Sequence, residues 1–153
     1  MIKVLFVCHG NICRSPMGEF VLKDLVKKAG LESKVFISSA ATSREELGNS
    51  VYPPTKRVMN AHGVLCDGHV ARQITKQDYD QFDYIIGMDK ENLYNLLRLF
   101  DNDPEKKVHL LSEYGHFSGE VADPWYTGNF DLTWEQVLDG CEGFLKNVIE
   151  KAE

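Results

Sequence analysis

A thiol, a guanidinium and a hydroxyl stand close together near the start of the chain, in Cys8-His9-Gly10-Asn11-Ile12-Cys13-Arg14-Ser15-Pro16. These are groups that bind an oxyanion and attack it. A free cysteine with a pKa near ~8.5 is only a few per cent thiolate at neutral pH. Inward-facing backbone N–H groups, a helix N-terminus and an arginine all favour its anion. The same N–H groups and a planar guanidinium can hold three phosphoryl oxygens. Ser15 can donate its hydroxyl to the sulfur and help it leave later. Gly10 permits a close turn. Asn11 tolerates left-handed backbone and can lock the loop by local bonds. A second group with chemical potential lies far along the chain, in Asp123-Pro124-Trp125-Tyr126. Aspartate before proline is commonly a helix cap or an Asx turn. Beside a thiol loop and two aromatic rings, Asp123 becomes a candidate general acid.

The spacing of Cys8 and Arg14 means little by itself; the elements around it make it specific. The apolar run Ile2 to Val7 reads as a strand covered on both faces, and it leads straight into the loop. Pro16 suits a first helical turn, with Ser15 as N-cap. Gly18, Val21, Leu22, Leu25 and Ala29 then recur at helical spacing, and Gly30 closes the segment. Strand, loop and helix start together enclose one small volume lined by N–H groups.

Further on, Lys34 to Ser39 reads as a second strand. Residues 40–54 are polar and irregular, long enough for a functional loop. Pro54 opens a helix through Ala61. Residues 64–74 show no regular pattern. Lys76 to Asp80 suits a short helix capped by Thr75. Tyr84 to Met88 is a third strand, and Asp89 caps a helix carrying Leu93, Leu96, Leu97 and Phe100. Val108 to Leu111 is a fourth strand, residues 112–130 a loop, and Leu132 to Lys151 a final helix. Strands alternating with helices predict one α/β domain over residues 1–153: a four-stranded, mostly parallel sheet with helices on both faces. In such folds sites form beyond the C-terminal strand ends, where residues 8–14 fall.

Bulk properties narrow the classes. The 153 residues carry a net charge of −6, 43% hydrophobic and 26% charged residues, ordinary for a globular protein. The acidic balance argues against a nucleic-acid partner. No apolar run reaches membrane-spanning length, and the N-terminus lacks signal-peptide features. Four scattered cysteines make neither a disulfide scaffold nor a zinc site. A cytoplasmic protein without metal or cofactor is expected. Cys66 and Cys141 read as small hydrophobes.

The loop resembles the signature of the low-molecular-weight protein tyrosine phosphatases. The resemblance extends through Ser38-Ser39-Ala40, Asn60-Ala61-His62-Gly63, Ala71-Arg72-Gln73-Ile74-Thr75, Phe82-Asp83-Tyr84, Met88-Asp89 and Asp123-Pro124-Trp125-Tyr126. It implies a phosphatase acting on phosphotyrosine proteins, most simply as a monomer. Cys8 attacks phosphorus, Arg14 and the loop residues His9, Gly10, Asn11, Ile12, Cys13 and Ser15 bind the phosphoryl group, and Asp123 acts as acid and then base. Trp125 and Tyr126 form a wall for the phenyl ring. Family analogy also implies that Asn11, Ser39 and His62 form a supporting hydrogen-bond network. His9, His69, His109 and His116 read as surface or turn histidines, and Arg72 and Asp83 as ordinary pairing residues.

Two features depart or stay open. The family often has an aromatic residue in the wall where this chain has Glu45, which implies a missing stacking partner and a preference for basic substrates. Ile12 matches the tyrosine-phosphatase pattern; a phosphoarginine-acting branch has threonine there. Cys13 is either a small core residue or a thiol that captures oxidised Cys8 as a disulfide. Arsenate reductases of this fold need further central cysteines, a sugar phosphocarrier would not need Arg14, and a phosphate-binding module would not need a nucleophile.

Overall fold

Alternate residues of the first strand face opposite layers, and both layers are apolar. The structure is a computed structural model and describes residues 1–152. Strands β1 (Ile2–Cys8), β2 (Val35–Ala41), β3 (Tyr84–Gly87) and β4 (Val108–Leu110) form one parallel sheet in the order β2-β1-β3-β4. Val4, Phe6 and Cys8 point into a core shared with Met17, Val21 and Leu22 of helix α1 (Arg14–Lys28). Val137, Cys141 and Phe144 of the C-terminal helix complete that layer. Leu5 and Val7 point the other way, towards Tyr79, Leu96 and Phe100. A continuous apolar strand is therefore required, as both faces exclude water.

Between β2 and β3 lie α2 (Pro53–Ala61) and α3 (Gln77–Gln81); α4 (Lys90–Leu99) follows β3. After β4 come α5 (Pro124–Thr127) and α6 (Phe130–Phe144), so a short helix and a 3-10 turn, Leu111–Tyr114, interrupt the expected loop. Two glycines are set by close approach. A Cβ on Gly18 would meet the Phe6 ring at 2.7 Å, and one on Gly143 the Tyr114 carbonyl oxygen at 1.6 Å.

Several boundaries differ from the sequence reading, for local physical reasons. Helix α1 begins at Arg14 rather than Pro16, with Cys13 as N-cap and no side-chain cap bond. Ser15 is not the cap because its hydroxyl and N–H are turned to the Cys8 sulfur. Helix α6 begins at Phe130, two residues early, because Asn129 accepts the Leu132 N–H and caps it. Its α-helical part stops at Phe144, and Leu145–Ile149 continue as a wider π turn. The irregular stretch at 64–74 also has a role: Ala41 bridges Gln73 beside the sheet edge.

The strand order positions the site. From β1 the chain goes to β2 on one side, and β3 returns on the other. The connections diverge above the C-terminal end of β1 and open a crevice there. Val7 pairs with Gly87, and Cys8 with Ala41. The segments after residues 8, 41 and 87 therefore leave the sheet side by side.

Candidate active site

That crevice is a cleft of about 470 Å³, lined by the thiol loop, Glu45, Glu46, Asp89, Glu91, Asn92, Asp123, Trp125 and Tyr126. At its floor Cys8 is only 3% exposed. Its sulfur lies 3.0 Å from the Ser15 hydroxyl and accepts the Ser15 N–H at 3.4 Å. That N–H belongs to the first turn of α1, where amides have no intrahelical acceptor and the helix end is positive.

Asn11 holds the loop in shape. It is fully buried at φ 59°, the left-handed region, as its residue type allows. Its amide nitrogen donates to Ser15 Oγ at 2.8 Å and Ser39 Oγ at 2.9 Å, while Oδ1 accepts the Arg72 N–H at 3.1 Å. Ser15 Oγ thus accepts a hydrogen bond from Asn11, and its own O–H is free to donate to the sulfur. Ser39 Oγ donates to Glu19 Oε1 at 2.6 Å, and Glu19 is paired with Lys23. Gly10 needs no positive φ; instead its missing Cβ admits the Glu46 side chain, which a Cβ would meet at 3.2 Å.

The expected role of His62 is corrected. His62 is exposed at the end of α2 and stacks on Trp134, ring centroids 4.2 Å apart. The histidine that meets the loop is His69, whose Nε2 lies 2.8 Å from the Asn11 carbonyl oxygen. Both histidines follow short helical or turn segments, and no local pattern separates them. Phe20, on the outer part of α1, gives His69 an edge contact at 6.0 Å.

Arg14 is buried and fastened from three sides. It donates to Asp89 Oδ2 at 2.8 Å, to the Val121 carbonyl at 3.1 Å and to Asp123 Oδ2 at 3.4 Å. Burial disfavours its charge, but Cys8, Asp89 and Asp123 outweigh this and hold the guanidinium above its ordinary pKa. Asp89 was legible only as a helix cap. It does cap α4, in a reciprocal box with Asn92, and its second oxygen takes Arg14. The signal that could have found this pairing was positional: a buried arginine after β1 needs an anion, and Asp89 follows two residues after β3.

Asp123 caps α5 by accepting the Trp125 N–H at 3.1 Å, and its other carboxylate oxygen faces Arg14. Trp125 and Tyr126 line the cleft and remain exposed, and the Trp125 ring also rests on Tyr52 at 5.0 Å. Opposite them, Ser43 Oγ and N–H both bond the His9 carbonyl, which sets the next residues over the loop. His9 Nε2 then meets Glu45 Oε2 at 3.0 Å. Cys13 is buried beside Ile12, and burial pushes its thiol up to about 12. Arg72 pairs with Asp78 through two bonds, and Asp83 accepts the Lys3 N–H at the start of β1.

Fold and site together define an α/β protein with a thiol-floored cleft at the loop after its first strand. The family model for low molecular weight phosphotyrosine protein phosphatase matches residues 3–153. Low molecular weight protein-tyrosine-phosphatase YfkJ of Bacillus subtilis is 41% identical over 150 residues, covering 97% of this chain and 96% of that protein. Its crystal structure superposes with a TM-score of 0.96 at 40% identity, covering 100% and 98% of the two chains. The low molecular weight phosphotyrosine protein phosphatase of Gallus gallus is 42% identical over 151 residues, covering 94% and 93%. A Drosophila arginine phosphatase structure is also similar, with a TM-score of 0.88 and 33% identity over 95% and 97% of the chains. The chain belongs to the low molecular weight phosphotyrosine protein phosphatase family and is a protein-tyrosine phosphatase. Among the described residues no helix is long and apolar enough to cross a membrane.

Proposed function

We propose that the protein hydrolyses phosphotyrosine in proteins, and small aryl phosphates, through a cysteinyl-phosphate on Cys8 with Asp123 as general acid and base. The observation that carries this reading is the convergence of groups: the Cys8 sulfur under Ser15, and Arg14 holding Asp123 at 3.4 Å in the same cleft. In the first step the Cys8 thiolate forms an S–P bond while the P–O bond to the aryl group breaks. Asp123 gives its proton to the departing phenolate. Arg14 and the loop amides of residues 9–15 stabilise the transferring phosphoryl oxygens. In the second step water attacks phosphorus, Asp123 takes its proton, and the S–P bond breaks. The Ser15 hydroxyl then stabilises the sulfur as it leaves as thiolate.

Metal and cofactor are not required on this reading, because Arg14 and the amides supply the positive charge. Four scattered cysteines fit a reducing cytoplasm, where the protein acts as a monomer. Ile12 gives the cleft an apolar wall where the phosphoarginine-acting branch has threonine, and this suits a phenyl ring. This favours phosphotyrosine over phosphoarginine, the substrate class to which the name of the Drosophila arginine phosphatase points. The rim carries Glu45, Glu46 and Glu91, so peptides with basic residues beside the phosphotyrosine are favoured.

Turnover of p-nitrophenyl phosphate in metal-free buffer, with vanadate as inhibitor, tests the mechanism. Wild type should turn over, Cys8→Ser should be inactive, and Asp123→Ala should lose roughly 10²- to 10⁴-fold. A catalytic acid and a thiolate together give a bell-shaped profile with an acidic optimum. Activity surviving Cys8→Ser, or a flat rate between about pH 5 and 8, rejects this mechanism.

A further inference from the structure

Asp123 sits on a lightly supported segment. Before it, the Val121 N–H bonds Met88, the Ala122 N–H bonds Gln136, and the Ala122 carbonyl accepts Thr133 Oγ1. After it, α5 has four residues, of which only Pro124 is buried. Trp125 is 56% and Tyr126 84% exposed. Among the described residues, the Trp125 ring meets one other ring, Tyr52, at 5.0 Å and 55°. The Asp123 carboxylate in turn is held by the Trp125 N–H.

Tyr52 is attached to everything else that matters. Its N–H donates to the Ile12 carbonyl at 2.9 Å. Its side chain packs on the small cluster of Ile12, Cys13 and Ala71. Its ring also stacks on Phe130, the first residue of α6, at 6.1 Å and 27°. One residue therefore touches the thiol loop, α5 itself and the start of α6.

We propose that Tyr52 is a positioning residue for the general acid: its ring holds Trp125, and through the Trp125 N–H it aims the Asp123 carboxyl at the cleft. The inference rests on the role proposed for Asp123. Without the ring, α5 can tilt, and a small displacement of a proton donor costs rate. An aromatic pair of this kind biases an equilibrium by about three- to tenfold.

The test uses leaving groups of different basicity. Tyrosine leaves as a phenol of pKa about 10 and needs protonation; p-nitrophenol is more acidic and depends less on the acid. kcat/KM is measured for both substrates with wild type, Tyr52→Leu, Tyr52→Phe and Asp123→Ala, alongside urea unfolding. Tyr52→Leu should lose about three- to tenfold on phosphotyrosine and clearly less on p-nitrophenyl phosphate. Tyr52→Phe should match wild type, because no described group bonds the Tyr52 hydroxyl. If Tyr52→Leu does not fold, Phe130→Leu loosens Tyr52 from its other face and must give the same substrate-dependent loss. Equal losses on both substrates, or none, overturn the proposal while Asp123→Ala remains substrate-dependent. If Asp123→Ala itself affects both substrates alike, the acid assignment fails, and the role of Tyr52 falls with it.

Discussion

Replacing Asn11 should damage the protein in two separable ways. The residue is fully buried, stands at φ 59° and makes three side-chain hydrogen bonds. In Asn11→Gly the backbone remains comfortable, because glycine accepts positive φ. The bonds are lost. Ser15 and Ser39 each keep another partner, in Cys8 and Glu19, so each lost bond costs about 1 kcal/mol. The half-buried Arg72 N–H keeps none, and an orphaned donor costs roughly 1–3 kcal/mol. Together this is about 3–5 kcal/mol. In Asn11→Ala the left-handed backbone adds about 1–2 kcal/mol more. A typical domain has ~5–15 kcal/mol in total, so Asn11→Ala, which loses about 4–7 kcal/mol in all, comes nearer to unfolding than Asn11→Gly. Urea unfolding at pH 7 measures the difference. Activity should fall in both, because Ser15 loses the bond that turns its proton towards Cys8. Equal stability of the two variants would refute the backbone part; a loss under about 1 kcal/mol in Asn11→Gly would refute the network part.

Three further outcomes follow from single features. Asp103 is at φ 58° and accepts from Tyr79, Lys107 and Val108; burial alone would raise its pKa, but these bonds outweigh it and hold the carboxyl below its ordinary value. Its charged form therefore stabilises the fold above the carboxylate range, so Asp103→Asn should lower Tm at pH 7, and the gap should close as pH falls through that range. Glu45→Lys with Glu91→Lys should reverse a preference for phosphotyrosine peptides flanked by lysine over glutamate, by up to about fivefold per exposed pair, with p-nitrophenyl phosphate little affected; unchanged peptide ranking removes the rim from specificity. Peroxide should convert Cys8 to a sulfenic acid that the Cys13 thiolate captures as a disulfide, expelling hydroxide, which takes a proton from solvent to become water. With its thiol pushed up to about 12, Cys13 should do this faster as pH rises; thiol recovery unaffected by Cys13→Ser would exclude the capture.

Chemistry that depends on neighbours in the chain was legible in the sequence. The apolar run to Val7 must be a doubly covered strand, the loop after it ends on Arg14, and Asn11 is a residue type that accepts φ 59°. Asp89 before an amphipathic run is a cap. The alternation of strands and helices sufficed for a four-stranded parallel sheet. These are short-range constraints of sterics, periodicity and backbone satisfaction, written within a few residues of where they act.

The tertiary structure decided which distant groups meet. His62 and His69 carry similar local signals; only packing turns one onto Trp134 and the other onto the Asn11 carbonyl. A buried guanidinium demands anions, yet the strand order is what brings Asp89 to Arg14, since β3 lies against β1. Ser15 looked like a cap and became a donor to the sulfur because α1 starts two residues closer to Cys8. Tyr52, one aromatic residue in a polar stretch, joins the thiol loop to the acid segment only when α2 and α6 are docked. The sequence determines which atoms can do the chemistry. The fold determines which of them are neighbours, because pairing energy depends on distance in space, and residues 14, 52, 89 and 123 become close only when the sheet forms.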